Sequence, residues 1–422
     1  MRSIITKAFG AIVGLVRLKA FRRLLIASIG AAAFASCTAN GNLIYLNIQK
    51  TTKTTTGTIP VDITVSEMLA AGAGGTPPYY VAAGKIYEGT VLSQGNTNWG
   101  AISVPSANGQ DMLCNALGFD GTNLWGGFFS QDGSSVGLFH ATPGGTFVPA
   151  AGFPGAGKQI TYVAAFPITG TVFAVAATMS TSGSFTYQLF FNNGTSWSPL
   201  PATLGGVSTV SQPITGIGFD GTNYYATSGN VLYWGTTGTT FNVLFASGNS
   251  NDIFRGVFID PTFNNSGSAA LLILVPSSNQ TVSSTGVGGI YYSIGALPSQ
   301  TSFLEIATNA NTSFNTGFLC AAGPIDGAST HYTYLVGADS GYGAGFGFFS
   351  LNFSNPASPS LSRYSGISYS LYASAVNRIL VDSSAAANSA NIVAMGTINN
   401  GLWVTYPVDT TGSFSSNTWT QE

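Results

Sequence analysis

The stretch ITGIGFDGTNYYATSGNVLYWGTTGTTFNVLFASG, from Ile214 to Gly248, decides the fold. Its first residues alternate between two faces, as a β-strand requires. Asp220-Gly221 then predicts a hairpin turn, because Asp bonds its own backbone and Gly accepts a positive φ. Aromatic and β-branched residues follow, with further turns at Gly229-Asn230 and Gly238. The stretch therefore predicts four short strands, which must pack against copies of themselves to be stable.

Related copies of this unit recur along the chain. FDGTN occurs at 119–123 and again at 219–223, and weaker forms of the same strand end lie at 167, 260, 326 and 382. These marks are 40 to 66 residues apart, which suits propeller blades of about 40 to 50 residues with loop insertions. A β-helix coil, about half as long, is the second choice. We interpret the repeated turn residues as structural: Asp120, Gly121, Asp220, Gly221, Asp326 and Gly327.

A second mark falls late in three units. TPGGTF at 142–147, NNGTSW at 192–197 and TTGTTF at 236–241 share Gly-x-Thr/Ser-aromatic. Here the chain resembles the sialidase/BNR-type β-propellers, whose Asp-box (Ser-x-Asp-x-Gly-x-Thr-Trp) is a hairpin between the third and fourth strands of a blade. Thr142, Asn192 and Thr236 replace the Asp of the family, so these boxes are degenerate. The resemblance implies blades from about residue 60 to 422, and it implies no activity, because the box is a structural turn.

These patterns predict an all-β protein with a single β-propeller over residues 61–422. They favour seven four-stranded blades and leave six or eight open. The predicted units lie near 61–105, 111–152, 158–202, 210–248, 251–309, 315–365 and 370–422. No helix of any length is predicted. We expect a terminal strand to complete the blade of the other terminus, with 417–420 as the candidate segment.

The N-terminal region predicts export. Residues 1–36 combine six Lys and Arg with a short apolar run, 24–35, and end before Cys37. Ala35-Ser36-Cys37 resembles a bacterial lipoprotein signal, in which Cys37 is acylated and the chain is cut before it. The alternatives are an ordinary signal peptide with an incidental Cys, or an uncleaved anchor. Residues 37–60 are predicted to form a Thr/Asn-rich tether. Together with the lipid at Cys37, it is expected to hold the protein at the cell envelope, on the outer membrane or cell surface.

Composition excludes some functions. Only 7% of residues are charged, against about 25% in ordinary soluble proteins. Removing the predicted signal leaves 7 of the 13 Lys and Arg against 15 Asp and Glu, a net charge near −8. Without a basic patch the mature chain is not expected to bind nucleic acid. Its predicted partners are the membrane, through Cys37, and a glycan or envelope protein, with a monomeric body.

Few residues could carry metal or thiol chemistry. His140 and His331 fall in different units, so no metal site and no cofactor are predicted. Cys114 and Cys320 each precede a turn Asp by six residues, which predicts the same register in two blades. Two buried free thiols are favoured over a disulfide between distant blades. Most of the six Trp residues are predicted to pack between blades.

The family resemblance raises a sialidase-like alternative. Those enzymes clamp a carboxylate with three Arg residues, and the mature chain has Arg255, Arg363 and Arg378. Arg255 lies five residues before Asp260 and Arg378 four before Asp382, which predicts opposite strand faces rather than a shared clamp. We therefore predict a non-catalytic binding or scaffold protein. Arg255, Arg378 and Tyr342, the last in a glycine-rich loop, are the candidate ligand-binding residues. The alternatives are an extracellular glycan-active enzyme and a structural envelope protein assembled in arrays.

Overall fold

The structure is a computed structural model, and it describes the chain in the following segments. They are residues 59–72, 78–90, 92, 98–248, 252–263, 270–278, 290–295, 302–306, 317–326, 332–341, 344–345, 347–363, 371, 374–382, 392–405 and 419–422. All of them belong to one compact unit, Gln49–Glu422. The predicted signal peptide and Cys37 lie outside the described residues.

The first four blades follow one another along the chain. Blade 1 contains β1 (Glu67–Ala70), β2 (Tyr79–Ala83), β3 (Lys85–Gly89) and β4 (Gly100–Ala101), and the short hairpin β5 (Ser106–Ala107) and β6 (Gln110–Asp111) follows it. Blade 2 contains β7 (Leu113–Phe119), β8 (Leu124–Phe129), β9 (Val136–Ala141) and β10 (Val148–Pro149). Blade 3 contains β11 (Gln159–Phe166), β12 (Thr171–Met179) and β13 (Phe185–Asn192). After β14 (Thr203–Leu204), blade 4 contains β15 (Ile214–Phe219), β16 (Tyr224–Ser228), β17 (Val231–Gly235) and β18 (Thr240–Ala246).

The last three blades repeat the arrangement. Blade 5 contains β19 (Asp252–Asp260), β20 (Ala270–Ser278), β21 (Ile290–Gly295) and β22 (Leu304–Ile306). Blade 6 contains β23 (Phe318–Ala322) and β24 (Thr333–Ala338), then the hairpin β25 (Ser340–Gly341) and β26 (Ala344–Gly345), then β27 (Phe348–Asn352) and β28 (Ser360–Arg363). Blade 7 contains β29 (Val376–Asp382), β30 (Ile392–Thr397), β31 (Leu402–Thr405) and β32 (Trp419–Gln421).

The first strands of the blades form a ring. Each blade is an antiparallel meander, and the strands β1, β7, β11, β15, β19, β23 and β29 contact one another in that order, with β29 returning to β1. These seven inner strands surround the centre of the molecule. The predicted all-β propeller with seven blades is confirmed, and the described residues contain almost no helix.

The hydrophobic core is divided among the blade boundaries. The buried apolar residues of the described segments form seven clusters, and each cluster joins the facing sheets of two neighbouring blades. The predicted packing of the Trp residues is also confirmed. Trp125 and Trp197 lie between blades 2 and 3, Trp403 lies between blades 6 and 7, and Trp99 lies between blades 7 and 1. Each blade is therefore stabilised mainly by its neighbours.

One segment joins two blades at their outer edges. Thr203 and Leu204 pair in parallel with β18 of blade 4. On its other side the same segment bridges to β13 of blade 3, through the pairs Leu189 with Ala202 and Tyr187 with Val210. It therefore completes blade 3 and covers the outer edge of blade 4, which satisfies backbone groups that an edge strand would expose.

The ring does not close as the sequence predicts. Trp419–Gln421 is the outer strand of blade 7, and every described sheet takes its strands from one part of the chain. Blades 1 and 7 meet instead through hydrogen bonds from the segment before β1, such as Val65 N to Thr397 O at 3.0 Å. The described closure is therefore a contact between two complete blades rather than a shared sheet.

Candidate functional site

A β-bulge occurs at the same level of six inner strands. In each, one residue is skipped in the pairing with the second strand. The skipped residues are Asn115, Thr161, Thr215, Arg255, Leu319 and Asn377. Ser66 is the equivalent residue of blade 1. The residue before it, Val65, donates its N–H to a carbonyl of the previous blade, as Cys114 and Phe254 do just before their own belt residues. We call these seven residues the belt.

The belt links neighbouring blades through side chains. Asn115 Nδ2 donates to Ile160 O at 2.7 Å, and Asn377 Nδ2 donates to Val65 O at 2.8 Å. Ser66 and Thr215 also donate to a carbonyl of the following blade. Each acceptor is the residue just before the next belt position, so the same contact recurs at four of the seven belt positions. A bulge redirects its side chain in this way, which is why bulges recur at functional and structural junctions.

The residues just after the belt form the candidate site. Glu67, Tyr162, Cys320 and Arg378 occupy this position in blades 1, 3, 6 and 7, and we call them the channel cluster. Arg378 Nε lies 3.1 Å from Glu67 Oε2, and the two side chains are 28% and 18% exposed. Because neighbouring blades cover both faces of the inner strands, we interpret this exposure as exposure to the central channel.

Burial controls the protonation of the cluster. Burial raises the pKa of Glu67, although the Arg378 guanidinium and the Met68 N–H oppose the shift. Burial also raises the pKa of Tyr162 to about 12, with the Glu67 carboxylate adding to the shift and Arg378 opposing it. The Ile217 backbone N–H also opposes this shift in the pKa of Tyr162. Tyr162 thus interacts electrostatically with both members of the ion pair.

The thiols are poor nucleophiles. Burial raises the pKa of Cys114 and of Cys320 to about 12, whereas reactive cysteines need a depressed pKa. Both are free, and Cys114 is buried as the sequence predicts, whereas Cys320 is only partly buried. Their predicted common register is wrong, because Cys114 precedes the belt residue and Cys320 follows it. Blade 6 has two more residues than blade 2 between the belt and the turn Asp, and the count from the Asp is therefore misleading.

The turn carboxylates are engaged in structural hydrogen bonds. Asp120 accepts from the N–H groups of Thr122 and Asn123 and from Trp125 Nε1, the last at 2.6 Å. Asp220 makes the equivalent bonds, with Tyr225 Oη as the aromatic donor at 2.7 Å. These are the hydrogen bonds that an Asp in a tight turn accepts from the backbone of the residues that follow it.

Two other turn carboxylates reach across a blade boundary. Tyr334 Oη in blade 6 donates to Asp260 Oδ2 in blade 5 at 2.6 Å. Tyr79 Oη in blade 1 donates in the same way to Asp382 Oδ2 in blade 7. Asp326 accepts from the backbone of Tyr332 and Thr333. Within the described segments, no three His, Cys, Asp or Glu side chains could together hold a metal ion.

The predicted ligand-binding residues do not form one group. Arg378 lies in the channel cluster, whereas Arg255 occupies the belt position of blade 5, two blades away. Tyr342 and Gly327 lie outside the described residues. Sequence reasoning missed Glu67 and Tyr162. A signal for Tyr162 is available, because it lies four residues before the strand end at Phe166, as Arg378 lies four before Asp382.

No described helix is long and apolar enough to cross a membrane. At the level of sequence, the chain matches no protein-family model and no curated protein.

Comparison of folds gives distant neighbours. The extracellular domain of a one component system from B. thetaiotaomicron aligns with 13% identity and a TM-score of 0.50, over 82% of this chain and 38% of that chain. Hydrazine synthase from Kuenenia stuttgartiensis aligns with 10% identity and a TM-score of 0.45, over 73% and 82%. The RRP9 WD40 repeats align with 9% identity and a TM-score of 0.45, over 86% and 96%. The chain spans less than half of the first neighbour, and at 13% identity that likeness shows the fold alone.

Proposed function

We propose that the chain is a non-catalytic binding protein of the cell envelope, anchored to a membrane by a lipid at Cys37. Its propeller presents loops and the channel cluster to a glycan or to another envelope protein. The proposal combines the predicted signal sequence with the chemistry of the inner strands. One solved neighbour is an extracellular domain, so the fold occurs in the compartment that the proposal requires.

The observation that carries the non-catalytic assignment is that the carboxylates are engaged in structural hydrogen bonds. The inner-strand and turn carboxylates, Glu67, Asp120, Asp220, Asp260, Asp326 and Asp382, each accept structural hydrogen bonds. A general acid or base needs a proton donor or acceptor available to the substrate. The phenol of Tyr162 and the thiol of Cys320 both have raised pKa values, so neither is an activated nucleophile. What the cluster offers is hydrogen bonding and charge.

Membrane attachment is tested on the full chain in a bacterial host. Wild type is expected to fractionate with membranes and to incorporate radiolabelled palmitate, while Cys37→Ser releases the chain into the soluble fraction without label. Cys114→Ala is the control, since it removes another cysteine and should leave fractionation unchanged. An unlabelled, membrane-free wild-type protein would contradict the proposed anchor.

Binding and catalysis are tested with the same purified chain in detergent. Thermal unfolding is followed with a panel of polysaccharides and sialosides, because a ligand that binds only the folded state raises Tm. We expect a Tm shift with one class and no turnover of any panel member. Turnover that is lost in Arg378→Gln would overturn the non-catalytic assignment in favour of a glycan-active enzyme. If no glycan shifts Tm, the glycan part of the proposal is wrong. The binding proposal then stands only if the chain captures one envelope protein.

A further inference from the structure

The boundary between blades 7 and 1 differs from the other six. The chain itself connects blades 1 to 2, 2 to 3 and so on to blade 7, whereas blades 7 and 1 come from opposite ends of the described chain. No sheet is shared across this boundary among the described strands. Among the described residues only non-covalent contacts hold it, and separating the two blades there leaves no connecting loop between them.

Residues 59–66 pack against blade 7 at this boundary, and we call them the clasp. The clasp contains no strand and lies on blade 7 before the chain enters β1. Val65 N donates to Thr397 O at 3.0 Å, and Gly401 N donates to Ile63 O at 2.9 Å. At the rim, Thr64 Oγ1 donates to Asn399 Oδ1 at 3.0 Å and Gln421 Nε2 donates to Val61 O at 3.0 Å.

Glycines in blade 7 make the seat of the clasp. A Cβ at Gly396 would come within 2.6 Å of Val65 Cγ1, and one at Gly401 within 3.0 Å of Pro60 O. Gly401 also has a φ of +65°, which favours glycine. The backbone of blade 7 is therefore shaped to receive this segment closely.

The clasp also has the properties of a segment that opens locally. The bond between Thr64 and Asn399 is exposed to solvent, and Val61 is 56% exposed. Local opening is favoured where few apolar groups are buried and backbone hydrogen bonds face water. In contrast, Ile59 and Val65, near the two ends of the clasp, are fully buried, so that the clasp is anchored near both ends and exposed between them.

We propose that the ring opens at the boundary between blades 7 and 1, and that the clasp, residues 59–66, is the strap that keeps it closed. Opening there separates Glu67 in blade 1 from Arg378 in blade 7. The clasp consequently controls whether the charged groups of the channel cluster remain paired. Because the ion pair lies across this boundary and no other, opening elsewhere would leave it intact.

The structure offers two matched pairs of variants for the test. Tyr79→Phe removes the Tyr–Asp bond across the 7/1 boundary, and Tyr334→Phe removes the equivalent bond across the 5/6 boundary. Asn377→Ala removes the belt contact at the 7/1 boundary, and Asn115→Ala removes the same contact at the 2/3 boundary. The variants of each pair lose the same chemical group, so that they differ mainly in the boundary affected.

Native-state hydrogen exchange of the full chain is measured by mass spectrometry over peptides covering 59–66 and 392–405. We expect Tyr79→Phe and Asn377→Ala to speed exchange there at least tenfold, while Tyr334→Phe and Asn115→Ala leave it within twofold of wild type. A disulfide between Thr64→Cys and Asn399→Cys should slow exchange at least tenfold relative to its reduced form. The proposal is overturned if both members of a pair affect these peptides equally, or if the disulfide has no effect.

Discussion

At the residue scale, the ion pair in the channel is informative because removing its two charges from water costs free energy. Glu67 and Arg378 are mostly removed from water, and a buried pair seldom stabilises a fold more than apolar residues of the same size would. The raised pKa of Glu67 indicates that burial outweighs the attraction of Arg378. The pair is therefore better explained by a role in the channel than by stability.

A double-mutant cycle tests this explanation. Glu67→Gln and Arg378→Gln should each lower the free energy of unfolding by about 1–3 kcal/mol, because each leaves a buried partner uncompensated. The double variant should be within about 1 kcal/mol of wild type, measured by urea denaturation. The exposed pair of Lys85 and Asp111 is the control, and its loss should cost less than about 1 kcal/mol. A double variant less stable than either single variant would contradict the interpretation.

The Asp turns give a prediction about acid stability. Burial alone would raise the pKa of Asp220, but hydrogen bonds from Asn223, Tyr225 and Thr222 outweigh it and lower the pKa. Its stabilising contribution is thus present above the unfolded-state pKa and is lost as pH falls through the lower folded-state pKa. Asp220→Asn should cost about 1 kcal/mol at pH 7 and flatten the acid side of the stability curve. An unchanged acid side in the variant would count against this role.

At the element scale, the sequence predicts the strands well and the bulges not at all. Asp-Gly turns and alternating residues locate the inner strands of blades 2 and 4 because hairpin chemistry is local. The extra residue at the belt depends on how closely the next blade approaches, which is a tertiary property. Glu67 was missed for a related reason, since blade 1 lacks the turn marks that fix the register elsewhere.

Close approach between blades predicts which glycines are required. A Cβ at Gly337 in β24 would lie 2.2 Å from Val376 O of the next blade. Gly337→Ala should therefore cost about 2–3 kcal/mol through overpacking. Gly256 in β19 is the matched control, because its Cβ would meet only Val275 Cγ2, at 3.7 Å. Gly256→Ala should cost less than about 1 kcal/mol in the same denaturation experiment, and equal losses would refute the packing argument.

At the scale of the whole molecule, repetition made the blade count predictable, but closure was not predictable. Seven units spaced along the chain follow from recurring local marks. How blades 7 and 1 meet depends on residues 59–66, which carry no strand pattern, and on Gly396 and Gly401 far along the chain. Nothing local to either segment signals their contact.

A circular permutant tests whether the opening point follows the chain connection. Gln421 bonds to Val61, so a short Gly/Ser linker can join Glu422 to residue 59, with new termini at Gly152 in the exposed loop between blades 2 and 3. When blades 7 and 1 are linked, amide hydrogen exchange should become fastest at the boundary between blades 2 and 3. Peptides 113–119 and 159–166 report exchange at that boundary. Exchange that stays fastest at the 7/1 boundary would show that contacts, not connectivity, set the weak point.

The clasp has a mechanical consequence. A pulling force applied to the chain ahead of Ile59 reaches residues 59–66 before it reaches any described strand of a blade. Their hydrogen bonds to blade 7 would carry the tension one after another, in the manner of a zipper, rather than all at once. Blades 7 and 1 would therefore separate at a low force, whereas the six boundaries that the chain connects would stay closed. Tension on the N-terminal side would thus be converted into separation of Glu67 from Arg378, at the centre of the molecule.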